Sequence, residues 1–77
     1  MAKKDTKKDN HAVYRVTEVI GTSSQSWEDA ARSAVETASK TLRDLRIAEV
    51  TKLDVRVEDG KVTQFRTRLS LSFKYGS

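Results

Sequence analysis

The sequence predicts an α+β fold, a single domain that runs strand, helix, strand, strand. Three observations carry that reading. Apolar and polar residues alternate over Ala12–Ile20 and over two later runs that begin near Ile47 and Thr63. Between the first strand and these runs, from Trp27 onward, apolar residues recur at helical spacing. An Asp-Gly pair, Asp59–Gly60, separates the last two alternating runs and marks a hairpin.

The first strand, Ala12–Ile20, is rich in Val, Ile, Tyr and Thr and is expected to close at Gly21. "TSSQS" is a loop. The helix is expected over 27–44, with Trp27, Ala30, Ala31, Ala34, Val35, Ala38, Leu42 and Leu45 on its buried stripe. Ser26 with Asp29 three residues on resembles a capping box with a shortened acidic arm. Glu28 and Asp29 in the first turn suit the positive end of the helix dipole. A stripe made mostly of alanine lets the helix lie close against its partner.

"RIAEVTKLDVRV" returns to alternation. Strict period two puts Ile47, Glu49, Thr51, Leu53, Val55 and Val57 on one face and Ala48, Val50, Lys52, Asp54 and Arg56 on the other. In the last strand, "TQFRTRLSLSFKY", Phe65, Leu69, Leu71, Phe73 and Tyr75 share one face. Gln64, Arg66, Arg68, Ser70, Ser72 and Lys74 share the opposite face. One helix can cover one face of three strands, and the sequence has no second helix for the other.

The chain has 77 residues and a net charge of +4. Residues 1–10, "MAKKDTKKDN", hold four lysines and two aspartates and read as a disordered basic tail. That segment is too polar for a secretory signal and too acidic for a typical transit peptide. Residues 11–77 form the folding domain, small enough to need a disulfide, a metal or oligomerisation. There is no cysteine and one histidine, His11, at the edge of the tail, so neither a disulfide nor a His-rich zinc site is available within one chain. Oligomerisation remains. No apolar run approaches the ~18 residues of a membrane span, and a cytoplasmic protein fits the composition.

No catalytic constellation is visible. Ser23, Ser24 and Ser26 have no histidine nearby and read as loop and helix cap. Gly21, Gly60 and Gly76 are scattered, so no phosphate loop is formed, and each is expected at a strand end or turn. The carboxylates Glu49, Asp54, Glu58 and Asp59 either pair with Arg or Lys across strands or meet symmetry mates and bind a cation. Trp27 sits on the helix's buried stripe and reads as core or subunit contact rather than a stacking platform. The row Arg66, Arg68 and Lys74 is a solvated face, a partner for a neighbouring subunit's acids, or a site for an anion.

"YRVTEVIGTSSQSWEDAARSAVETASKTLRDL", then "AEV", "DGKVTQFR" and "LSLSFKY", together resemble the dodecin family over Tyr14–Tyr75. The resemblance implies a three-stranded antiparallel sheet curled around one helix, with twelve copies assembled as a hollow dodecamer. It implies a non-enzymatic protein that binds flavins as stacked pairs between tryptophans and buffers them. The family's flavin-stacking Trp falls two residues before the Glu-Val of the second strand, where this chain has Ile47. The family's flavin-binding Gln, which follows an aromatic residue in the third strand, aligns with Arg66 behind Phe65. The usual flavin sandwich is therefore expected to be lost. "LRIA" resembles a second branch of the family in which a small aliphatic replaces the Trp and calcium binding is proposed.

Taken together, the sequence indicates a dodecameric storage or binding protein for a small molecule or ion. Glu49, Asp54, Glu58 and Asp59 are its candidate metal ligands, and Arg66, Arg68 and Lys74 its candidate anion site. A flavin-buffering dodecin is the alternative. Nucleic-acid binding through the basic tail and strand ranks behind both.

Overall fold

The computed structural model describes residues 12–75. The tail expected at 1–10, His11 and Gly76 lie outside the described residues. Four elements run in the expected order: β1 (Tyr14–Ser23), α1 (Trp27–Ala38), β2 (Leu45–Glu58) and β3 (Lys61–Lys74). They form one antiparallel sheet in the order β1-β3-β2, so the last strand is central and α1 carries the chain from one sheet edge to the other.

β3 supplies the core. Thr67, Leu69 and Leu71 are buried on its helix-facing side, and Ala30 of α1 is buried as well. The Thr67 hydroxyl donates to the Trp27 carbonyl at 3.0 Å, which ties the first turn of α1 to the central strand. The helix lies over β1 and β3 and barely reaches β2.

Three expectations are corrected. Gly21 does not end β1, which continues through Thr22 to Ser23. A Cβ at Gly21 would sit 2.1 Å from the Ala30 carbonyl oxygen and 2.8 Å from Ala34 Cβ, so the glycine is where the helix backbone rests on the strand. The alanine stripe and this glycine are two halves of one close contact.

The helix ends at Ala38, six residues before the expected end at 44. From there the amides of Lys40 and Thr41 bond three residues back, to the Thr37 and Ala38 carbonyls, and the Thr41 hydroxyl also donates to the Ala38 carbonyl. This tightening ends the helix. Asp44 takes a positive φ of 56°, and β2 begins at once with Leu45 opposite Phe73. Pairing with β3 claims Leu45 from the helical pattern.

β2 does not keep strict alternation. Its register against β3 shifts between Leu45 and Ile47, between Val50 and Lys52, and between Arg56 and Val57. The first two leave Arg46 and Thr51 of β2 without a partner and swap the faces of the β2 residues beyond them, whereas the third leaves out Thr63 of β3. Ala48, Val50 and Leu53 therefore lie opposite Leu71, Leu69 and Thr67 on the helix side. Ile47, Glu49, Lys52 and Asp54 lie opposite Ser72, Ser70, Arg68 and Arg66 on the other face.

Two local expectations hold. Ser26 caps α1, its hydroxyl accepting from Asp29 N at 3.0 Å. The return arm runs through Ser23, whose hydroxyl donates to Asp29 Oδ2 at 2.7 Å and accepts from the amides of Gln25 and Ser26. The turn between β2 and β3 has positive φ at Asp59 (52°) and Gly60 (75°), the type I′ geometry that an Asp-Gly pair favours.

Gly21→Ala should lower the denaturation midpoint by more than Gly60→Ala. The first forces a methyl into the helix backbone, at about 1–3 kcal/mol or more. The second meets open space and carries only the left-handed conformational cost of about 1–2 kcal/mol. Equal midpoints for the two variants would contradict the close contact.

Candidate functional site

The sheet face turned away from α1 presents its side chains in rows set by the register. Val16, Ser72 and Ile47 form one row, and Glu18, Ser70 and Glu49 the next. Ile20, Arg68 and Lys52 come after them, then Thr22, Arg66 and Asp54. Nearer the hairpin, Gln64 faces Arg56. Ile47 and Val16 are each 62% exposed, and Ile20 is also exposed. The face is thus a mixture of open aliphatic side chains and charges.

Three arginines are paired with carboxylates, Arg66 and Arg68 across strands and Arg56 within β2. Arg66 donates through Nε to Asp54 Oδ1 at 2.8 Å and through an Nη to Oδ2 at 3.2 Å, a two-point pair. Arg68 reaches Glu18 Oε1 at 3.4 Å. Arg56 pairs with Glu58 at 2.9 Å. The hydrogen bonds from Arg66 hold the Asp54 carboxyl below its ordinary value, opposed by desolvation and helped by the charges of Arg66, Arg68 and Lys52. The same hydrogen bonds raise Arg66.

The residues expected to bind an anion are therefore brought onto one face, but Arg66 and Arg68 already hold carboxylates. Lys74 stands at the far end opposite Tyr14. The residues expected to bind a metal are dispersed. Asp54 lies with Arg66 and Glu58 with Arg56, Asp59 sits in the turn, and Glu49 shares a row with Ser70 and Glu18. Among the described residues no three His, Cys, Asp or Glu side chains gather as a metal site. Sequence reasoning missed Glu18 and Lys52 as members of this face. Glu18 joins it through the distant β1–β3 register, although its alternation with Val16 and Ile20 was a usable signal.

Trp27 lies on the helix side. Its indole N–H donates to the Asp54 carbonyl at 3.0 Å, and its ring meets Phe65 edge-on at 5.1 Å and 73°. A groove of about 280 Å³ runs beside it, lined by Trp27, Glu28, Ala31, Val50, Leu53 and Thr67. It exists because α1 stops short of β2.

The dodecin family model matches residues 13–76. The chain belongs to the dodecin family. Calcium dodecin of Mycobacterium tuberculosis is 45% identical over 64 residues, which cover 82% of this chain and 89% of that protein. The solved dodecin of Streptomyces coelicolor superposes with a TM-score of 0.81 at 43% identity, covering 87% of this chain and 96% of its own. A solved calcium dodecin from M. tuberculosis, described as calcium-chelating with a novel calcium-binding site, gives a TM-score of 0.73 at 44% identity and covers 80% and 89% of the two chains. Dodecins are homo-oligomeric proteins that bind small ligands or ions. No helix among the described residues is long and apolar enough to cross a membrane.

Because the folded Asp54 value is lowered, the pair's contribution to stability is complete above the unfolded aspartate value. It is lost as pH falls through the lowered folded value. Carboxyl-resolved NMR titration should show Asp54 protonating at lower pH than an unpaired aspartate, and Arg66→Gln should move it upward. An Asp54 curve unchanged by that substitution would remove Arg66 as the cause.

Proposed function

We propose that this dodecin is a non-enzymatic, cytoplasmic homododecameric shell whose cargo is a cation, calcium foremost, rather than the family's flavin pair. The observation that carries this reading is the row at the flavin-stacking position. Ile47 stands exposed beside Ser72 and Val16, and the row offers no aromatic ring. Aromatic stacking adds about 0.5–1.5 kcal/mol per pair beyond area burial, and a sandwich between two such positions loses it twice. At the neighbouring flavin position a neutral amide, donor and acceptor at once, is replaced by Arg66, which only donates and already holds Asp54.

The burial pattern supports the shell. One chain buries only Ala30, Leu69 and Leu71 among its described apolar residues and leaves eleven large apolar side chains exposed on both sides of the sheet. Contact with other copies is the route by which so small a domain completes its core. The 45% sequence identity to calcium dodecin of M. tuberculosis supports the cation. Calcium takes about six to eight oxygens, so its ligands converge from more than one subunit. Glu49, Asp54, Glu58 and Asp59 are the candidates. Glu49 and Asp59 come first, since Asp54 and Glu58 are engaged by arginines.

Native mass spectrometry of the untreated protein should show about 104 kDa, twelve chains of 8.7 kDa, with excess mass removed by a chelator. Flavin-sized excess would establish the flavin-buffering reading instead, and a monomer or dimer would dismiss the shell. Ile47→Trp combined with Arg66→Gln should give an intact, yellow, flavin-loaded assembly. If that variant stays colourless with added flavin, the two substitutions are not what bars it.

A further inference from the structure

We propose that Asp54 determines the ligand class of this face: it is a tethered anion that occupies Arg66 and keeps phosphate-bearing ligands off it. The inference rests on the proposed function, in which Arg66 stands where the family's flavin-contacting amide would be.

The geometry is specific to this chain's register. Strict alternation from Ile47 would place Asp54 on the helix side, away from Arg66. The irregularity between Val50 and Lys52 leaves Thr51 as an extra residue and carries Asp54 across to the outer face, directly opposite Arg66. Thr51 helps hold the irregularity, its hydroxyl donating to the Arg68 carbonyl at 3.2 Å. Trp27 fixes the same residue from the other side through the Asp54 carbonyl. The carboxylate is thus delivered by the backbone and clamped there.

Once in place it uses both oxygens on Arg66. A carboxylate tethered on the adjacent strand competes at an effective concentration on the order of millimolar or higher, so a free anion must displace it. The Arg68–Glu18 contact is a single, longer one and locks less firmly. Lys52 lies opposite Arg68 and makes no ion pair among the described residues. Neutralising Asp54 therefore leaves Arg66, Arg68 and Lys52 together against Glu18, a cluster suited to an anion with several oxygens. With Asp54 ionised, two carboxylates, Asp54 and Glu18, stand against these three cations, and the cluster's excess positive charge is half of what remains once Asp54 is neutralised.

The test is calorimetric titration of full-length protein with inorganic pyrophosphate at low salt, alongside native mass spectrometry of each variant. Wild type should show no binding or at least tenfold weaker binding than Asp54→Asn. The gain should vanish in Asp54→Asn combined with Arg66→Gln, and weaken with added salt. Asp54→Ser serves if Asp54→Asn fails to assemble. Wild type binding as tightly as the variant, or neither variant binding, overturns the proposal. Calcium loading and the wild-type mass are measured separately, so failure of the shell or of the cation reading is told apart from failure here.

Discussion

The close approach of α1 to β1 at Gly21 sets the rest of the molecule. A helix that touches strand backbone through Ala30 and Ala34 must sit over β1 and β3, because only there does the sheet present a residue without a Cβ to receive it. A helix of twelve residues in that position cannot also shelter β2. Val50 and Leu53 are left half-exposed beside the Trp27 groove, and the outer face has no cover among the described residues. The tightness of one contact thus leaves open apolar surfaces on a member of a homo-oligomeric family.

The irregularities of β2 have a comparable effect on chemistry. They divide its residues so that the aliphatic ones nearest the helix face inward while Ile47, Glu49, Lys52 and Asp54 join the arginines of β3 outside. What reads in one dimension as a cationic strand becomes in three dimensions a face of matched charges, with each of its arginines facing a carboxylate from an adjacent strand or, for Arg56, from its own. Such exposed pairs contribute little to stability individually. Their effect is on the potential that an approaching ligand meets.

Much of this was legible in the residues. Ser26 and Asp29 announced the helix start, Asp59–Gly60 the hairpin, and the alternation of β3 its buried side, because each depends on neighbours a few positions away. The dodecin resemblance, from which Ile47 and Arg66 are proposed as substituted flavin positions, agrees with the chain's membership of that family. The role of Gly21 was not legible, since it answers to Ala30 and Ala34 of the following helix. Leu42 and Leu45 fitted a helical stripe as well as a strand start, and only pairing with Phe73 decides for Leu45. The faces of β2 were hidden for the same reason: a single extra residue at Thr51 inverts a pattern of period two without changing composition.

The position of Trp27 has an optical consequence. It is the only tryptophan, and its indole bridges the helix start and the Asp54 backbone while its ring rests against Phe65. Ultraviolet emission from the folded protein therefore comes chiefly from one fluorophore set at the joint between α1 and the β2–β3 ribbon. The molecule carries an intrinsic reporter of that joint, which a bound chromophore absorbing in the same range would dim and a colourless ion would leave bright.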